Sequence, residues 1–325
     1  MQHVLTITFP FFALVLLGFL SARGSLLPLS AIPGLNAFVL FFALPCMLFR
    51  FGASTPIAQL LDARVALVYL LSATAVVTLT VMVTRRGRIG WNDAAFGALV
   101  AAFPNTGFMG VPLLVALMGP RSAGPAILVV LVDMVFTSSL CLALSRLGAV
   151  GDPGKSAGQT TRNALRGVVA NPLPWSILLG ALLSAMQWKL PQPMGQTVGL
   201  LADAASPVAL FTIGAVLARS QMLAHADVTQ VTAWREVLPV AAIKLFVHPV
   251  VVWLVGGMAV RLGVPIDPFV LTTLVLLASL PSASNVSLLA ERYGADNGRI
   301  ARIILVSTAA AFLTFSGAVA IMTST

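Results

Sequence analysis

Residues 96–119 read FGALVAAFPNTGFMGVPLLVALMG, and the centre of that stretch decides the fold. The segment is apolar and meets the roughly 20 residues needed to cross a bilayer. Its middle, however, is Pro104-Asn105-Thr106-Gly107. Proline brings no N–H to a helical ladder. Asn and Thr open helices better than they continue them. The pattern predicts two half-helices that meet near the membrane centre. Backbone that leaves the ladder in hydrocarbon must be buried in protein or line a cavity. A second break of the same kind is expected at LPSASN, residues 280–285, around Pro281. Paired broken spans point to the binding site of a transporter.

Composition sets the class. Of 325 residues, 58% are hydrophobic and 9% charged, with a mean hydropathy of +0.99. A soluble domain carries about 25% charged residues. The chain is therefore expected to be an all-α polytopic membrane protein. The net charge of +9 does not imply nucleic acid, because no basic run is long enough. Both cysteines, Cys46 and Cys141, lie in apolar spans with no metal spacing, and read as small buried residues. No cofactor or metal motif occurs. The N-terminus lacks a basic segment and a cleavage site, and reads as a retained first span.

Ten spans are expected, at 4–22, 31–50, 65–84, 93–119, 124–147, 172–188, 197–218, 237–260, 268–290 and 300–322. Pro45 in span two and Pro207 in span seven are expected to interrupt their helices, as Pro104 and Pro281 do. Thirteen Lys and Arg residues fall in the odd-numbered loops and five in the even-numbered ones. That bias places the odd loops in the cytoplasm and both termini outside. Span two matches span seven about Pro45 and Pro207, and span four matches span nine about Pro104 and Pro281. Five spans per half is odd, so the second half enters from the other side. The expected organisation is two inverted five-helix repeats, 1–148 and 172–325, joined by a cytoplasmic linker at 149–171.

FPNTGFMGVP, LNAFVLFFALPCMLF, NPLPWSILLGALL, ASPVALFTIGAVLA and LPSASNVSLLAERYG together resemble the auxin efflux carrier family. The resemblance covers nearly the whole chain, and its most specific part is Asn105, Gly110 and Pro112. It implies ten spans, crossed broken helices four and nine, and transport of organic anions. The group includes bacterial carriers for malonate and similar acids. The long central loop of the plant members is absent here, which makes auxin itself an unsuitable substrate.

Several polar residues stand out against this background. Asn105, Thr106 and Gly107 are placed to cap the second half of span four, and Ser282, Ser284 and Asn285 that of span nine. The N-terminal ends of these half-helices would converge and favour a carboxylate. Gly107 and Gly110 would let substrate approach the backbone. The alternative is a pair of kinks satisfied by neighbouring helices. Asp133 lies deep in span five, where an acidic residue is a candidate for proton or Na⁺ coupling, or else the partner of a buried base. Lys244 and His248 share a face of span eight. Lys244 is placed to balance a bound anion, to pair with Asp133, or to snorkel to the interface. His248 precedes Pro249 and can bond a freed carbonyl. Asp203 is shallower and reads equally as a solvated carboxylate. No HExxH occurs, and the GxSxG match at residues 154–158, GKSAG, lies in the polar linker between the halves, so an enzyme is not expected. The leading expectation is a secondary carrier of small organic anions, first of all proton-coupled, in a bacterial inner membrane. A uniporter, a sodium-coupled carrier and a membrane sensor or intramembrane enzyme are the alternatives. Its partners would be a small carboxylate and the lipid bilayer, with a homodimer left open.

Overall fold

In the computed structural model, which describes residues 2–54, 62–86, 89–148, 172–226 and 234–323, every regular element is a helix. The expected linker 149–171 lies outside the described residues. Among the described residues, seven helices are long and apolar enough to cross a membrane: Thr6–Arg23, Leu29–Ser54, Ala63–Arg86, Pro120–Ser145, Gln192–Arg219, Trp234–Arg261 and Asn297–Met322. Three shorter apolar helices, Thr106–Met118, Trp175–Ala185 and Pro268–Ala278, fall where spans four, six and nine are expected. The chain is a multi-pass membrane protein.

The elements run in order as α1 (Gln2–Arg23), α2 (Ile32–Phe38), α3 (Leu44–Ser54), α4 (Ala63–Arg86), α5 (Trp91–Ala102), α6 (Val111–Met118), α7 (Ala123–Val132), α8 (Ser138–Ser145), α9 (Pro172–Ala185) and α10 (Gln192–Ala226). They continue as α11 (Trp234–Ala242), α12 (His248–Arg261), α13 (Pro268–Ala278), α14 (Asn285–Arg292) and α15 (Asn297–Thr323). Among the described residues, four wide π-helical turns sit between consecutive helices: Val39–Ala43, Thr106–Gly110, Asp133–Thr137 and Ile243–Val247. Three of them end two residues before a proline, namely Pro45, Pro112 and Pro249. The reason is chemical. A proline deprives the carbonyl four residues back of its donor, and a wider turn lets that carbonyl reach the next N–H. This corrects two expected breaks. Pro45 follows its π turn inside α3, and Pro207 lies within the uninterrupted α10, so neither ends a helix.

The chain divides into two compact units. One comprises residues 1–62, 106–128 and 171–222, and the other 63–105, 129–170 and 223–325. The first unit holds two close helix crossings. A Cβ on Gly18 of α1 would strike the backbone of Phe211, and one on Gly214 of α10 would strike the backbone of Val15. Likewise, a Cβ on Gly52 of α3 would meet the Ile177 carbonyl, and one on Gly180 of α9 that of Phe49. Only glycine permits backbones to approach this closely in a membrane bundle. Gly18 and Gly180 are 162 residues apart, as are Gly52 and Gly214, and as are Pro45 and Pro207.

In the second unit the core is α5, whose residues Ala94 through Ala102 are all buried. Its small side chains allow neighbours on every side. Residues Thr273 to Ala278 of α13 are buried as well. The starts of the helices packed here are set by acidic caps. Asp267 Oδ1 accepts from Phe269 N at 2.9 Å at the head of α13, with Pro268 in the first turn. Asp296 Oδ1 accepts from Arg299 N at 2.9 Å at the head of α15.

Candidate functional site

Both expected breaks are real, and in the second unit they pair with each other. α5 stops at Ala102 and α13 at Ala278. Between them Pro104 and Ser282 form an isolated antiparallel bridge. Asn105 N donates to the Pro281 carbonyl at 2.8 Å, and Ala283 N to the Phe103 carbonyl at 3.0 Å. The backbone freed by each proline is thus satisfied by the other broken segment, as buried backbone must be. Ser307 of α15 adds support: its Oγ accepts from Ser282 N at 3.3 Å and lies 3.1 Å from Ser282 Oγ.

The side chains at the breaks do not serve as the caps expected of them. Ser284 stands at the N-cap position of α14, but its side chain makes no capping bond. Ser282 turns to Ser307 instead. The Oδ1 atoms of Asn105 and Asn285 are buried without a hydrogen-bond partner. Leaving a buried polar atom unpaired costs about 1–3 kcal/mol, so such atoms call for a ligand or a strain that function uses. Thr106, Gly107 and Gly110 begin the portion of span four that belongs to the first unit, inside the π turn Thr106–Gly110. There Thr106 Oγ1 is also buried and unpartnered, and a Cβ on Gly107 would enter open space.

Asp133 is completely buried at the start of its π turn. No proline follows that turn, so the reason that explains the other three does not apply here. π turns without such a reason often mark functional positions. Tyr69 OH donates to Oδ2 at 2.9 Å and Thr137 Oγ1 to Oδ1 at 2.9 Å, while Ser138 Oγ donates to the Asp133 carbonyl at 2.9 Å. Two hydroxyls and no base therefore hold the carboxyl. Lys244 and His248 are completely buried too, which removes the expectation that Lys244 snorkels. The Lys244 ammonium lies 3.0 Å from His248 Nδ1 and donates to the Ala278 carbonyl at 2.8 Å. The His248 ring lies 6.2 Å from that of Tyr69. Among the described residues, Lys244 and Asp133 form no ion pair within 4.0 Å.

A family model described as membrane transport protein matches residues 3–319. The chain belongs to that family. This family member is 28% identical over 320 residues to a protein of Rhizobium meliloti (strain 1021) named "Putative malonate transporter", covering 98% of this chain and 95% of that one. It is 25% identical over 268 residues to auxin efflux carrier component 8 of Arabidopsis thaliana, covering 66% of this chain and 72% of the plant protein. It is also 25% identical over 295 residues to the uncharacterized transporter YfdV of Escherichia coli (strain K12), covering 87% and 86%. The family and these relatives are transporters, not enzymes, and they bear out the resemblance read from the sequence.

Asp203 of this family member is exposed and pairs with Arg50 at 2.7 Å in the first unit, which agrees with the solvated reading. One buried charge went unnoticed in the sequence. By sequence Arg299 is one of the thirteen basic residues of the odd-numbered loops, yet its exposure is 2%. Its Nη1 donates to the Asp93 carbonyl at 2.9 Å, and its guanidinium lies against Gly97 of α5. Asp296 N donates to Asp93 Oδ1 at 2.7 Å and Asn92 Nδ2 to the Tyr293 carbonyl at 3.1 Å. These bonds stitch the start of α5 to the turn between α14 and α15.

Proposed function

We propose that the protein is a secondary carrier that moves small organic anions, with malonate the first candidate, across the inner membrane by alternating access. The observation that carries this reading is the crossover. It leaves two buried amide oxygens, Oδ1 of Asn105 and Oδ1 of Asn285, without partners beside a pair of broken helices. A half-turn of either amide exchanges Oδ1 for the donor Nδ2, which suits a carboxylate. Neutral donors bind an anion without trapping it. The name of the Rhizobium relative supports malonate.

The architecture we infer has ten spans in two inverted five-helix repeats, 1–148 and 172–325, with spans four and nine crossed. The common offset of 162 residues among Gly18/Gly180, Pro45/Pro207 and Gly52/Gly214 supports it. So does the pairing of glycine crossings, α1 with α10 and α3 with α9, since an inverted repeat turns one into the other. The crossed-helix unit would move relative to the unit built of spans one, two, six and seven, and the division of the chain into two compact units fits that mechanism. Asp133 would carry the coupling proton.

Both termini would lie on the periplasmic side. Removing the buried Arg299 from the count leaves twelve basic loop residues against five, so the bias stands. Reporter fusions after Arg88, Arg166 and Thr325 are expected to read inside, inside and outside. An inside C-terminus would require an odd number of spans and would break the repeat.

The direct test of the function is uptake of labelled malonate, and of other mono- and dicarboxylates, into liposomes carrying the purified protein. The expected result is saturable uptake that an imposed pH gradient drives and a protonophore abolishes. No uptake or exchange of any carboxylate would reject the carrier reading.

A further inference from the structure

A helix that ends inside a membrane presents free carbonyls and a negative pole equivalent to about half a charge. In broken-helix carriers such ends coordinate the coupling cation. The end of α13 allows each carbonyl to be followed. Ser279 N donates to the carbonyls of Val275 at 3.0 Å and Leu276 at 3.2 Å, and Leu280 N to that of Leu277 at 3.2 Å. Ser279 Oγ donates to Val275 O at 2.8 Å. The next carbonyl, that of Ala278, takes the Lys244 ammonium at 2.8 Å.

The surroundings of that ammonium are those of a bound cation. Lys244 is completely buried, and among the described residues no carboxylate comes within 4.0 Å of it. Its neighbours are a helix-end carbonyl and a ring nitrogen, His248 Nδ1 at 3.0 Å. Asp133, the acid buried in the same unit, is held apart from it by its own bonds to Tyr69 and Thr137. An ordinary buried lysine pairs with an acid directly. This one is seated on the negative pole of a broken helix.

We propose that Lys244 is a built-in cation occupying the position of a coupling sodium ion, so that this protein needs no Na⁺. The inference rests on the carrier reading above, but its test involves no substrate, so the two fail separately.

The test is thermal unfolding of the purified protein in chloride salts at one ionic strength, comparing sodium, choline and ethylammonium. Wild type is expected to melt at the same temperature in all three. Lys244→Ala leaves the pole empty. It should melt lower in choline and recover saturably with ethylammonium, which returns a tethered-lysine-sized ammonium to the seat. A saturable rise of the wild-type midpoint with Na⁺ over choline would overturn the proposal, and that arm stands even where Lys244→Ala does not fold. A folded Lys244→Ala that is indifferent to ethylammonium would overturn it as well, because the lysine would then be only filling space.

Discussion

Liposomes carrying Asp133→Asn should exchange labelled substrate but fail to accumulate it against a gradient. One proton coupled to each anion, driven by one pH unit, supplies about 1.4 kcal/mol, or tenfold accumulation. The asparagine keeps the shape of the carboxyl and can still accept a hydroxyl bond, but it cannot carry the proton. Accumulation should therefore fall from about tenfold to none. Exchange needs no net proton movement and should persist. The structure also bears on the competing account, in which Asp133 only balances Lys244. Its direct partners are Tyr69 and Thr137, both neutral, so the single variant is expected to fold. If charge balance were its whole role, Asp133→Asn would fold poorly and Lys244→Met would restore it. Wild-type accumulation by Asp133→Asn would remove this residue from the coupling.

Asn105→Ala and Asn285→Ala should each weaken substrate binding by about tenfold to a hundredfold, the loss of one hydrogen bond to a charged group of about 1.5–3 kcal/mol. The same changes should leave the substrate-free protein as stable as wild type, or more so. The Oδ1 atoms they remove are buried and unpartnered, and truncation relieves that penalty. The crossover itself is held by backbone bonds from Asn105 N and Ala283 N, which a side-chain truncation does not touch. Lower affinity without lower stability separates a binding group from a structural one. Asn105→Asp should bind worse than Asn105→Ala, because a carboxylate there repels the anion.

What could be read in the sequence were features that violate a local rule. Pro104 and Pro281 announce themselves because a proline followed by Asn, Thr or Ser is out of place in an apolar span. Asp133, Lys244 and His248 stand out because charge in hydrocarbon is expensive. Pro45 and Pro207 break the same rule, yet a π turn ahead of one and a long continuous helix around the other absorb them. Periodicity carries no sign of which remedy a helix uses. The partners of the marked residues were less accessible. Thr137 is one turn from Asp133 and could have been found by spacing, whereas Tyr69 is 64 residues away and Ser307 is 25 from Ser282. Arg299 reads as an orientation charge because it is a base at the start of a span. Only packing shows that Gly97 opens a place for its guanidinium. The glycines at 18, 52, 180 and 214 are ordinary in a membrane helix, and their common offset becomes meaningful once their contacts are known.

The central claim is that the transported carboxylate sits at the crossing of the two broken helices. Calorimetric titration of malonate into the purified wild-type, Asn105→Ala and Asn285→Ala proteins tests it most directly. The account predicts measurable binding to wild type and an affinity about tenfold to a hundredfold lower in each variant, with melting temperatures no lower than wild type without ligand. Equal affinity in all three folded proteins would contradict it, place the site elsewhere, and reduce the crossover to a structural joint.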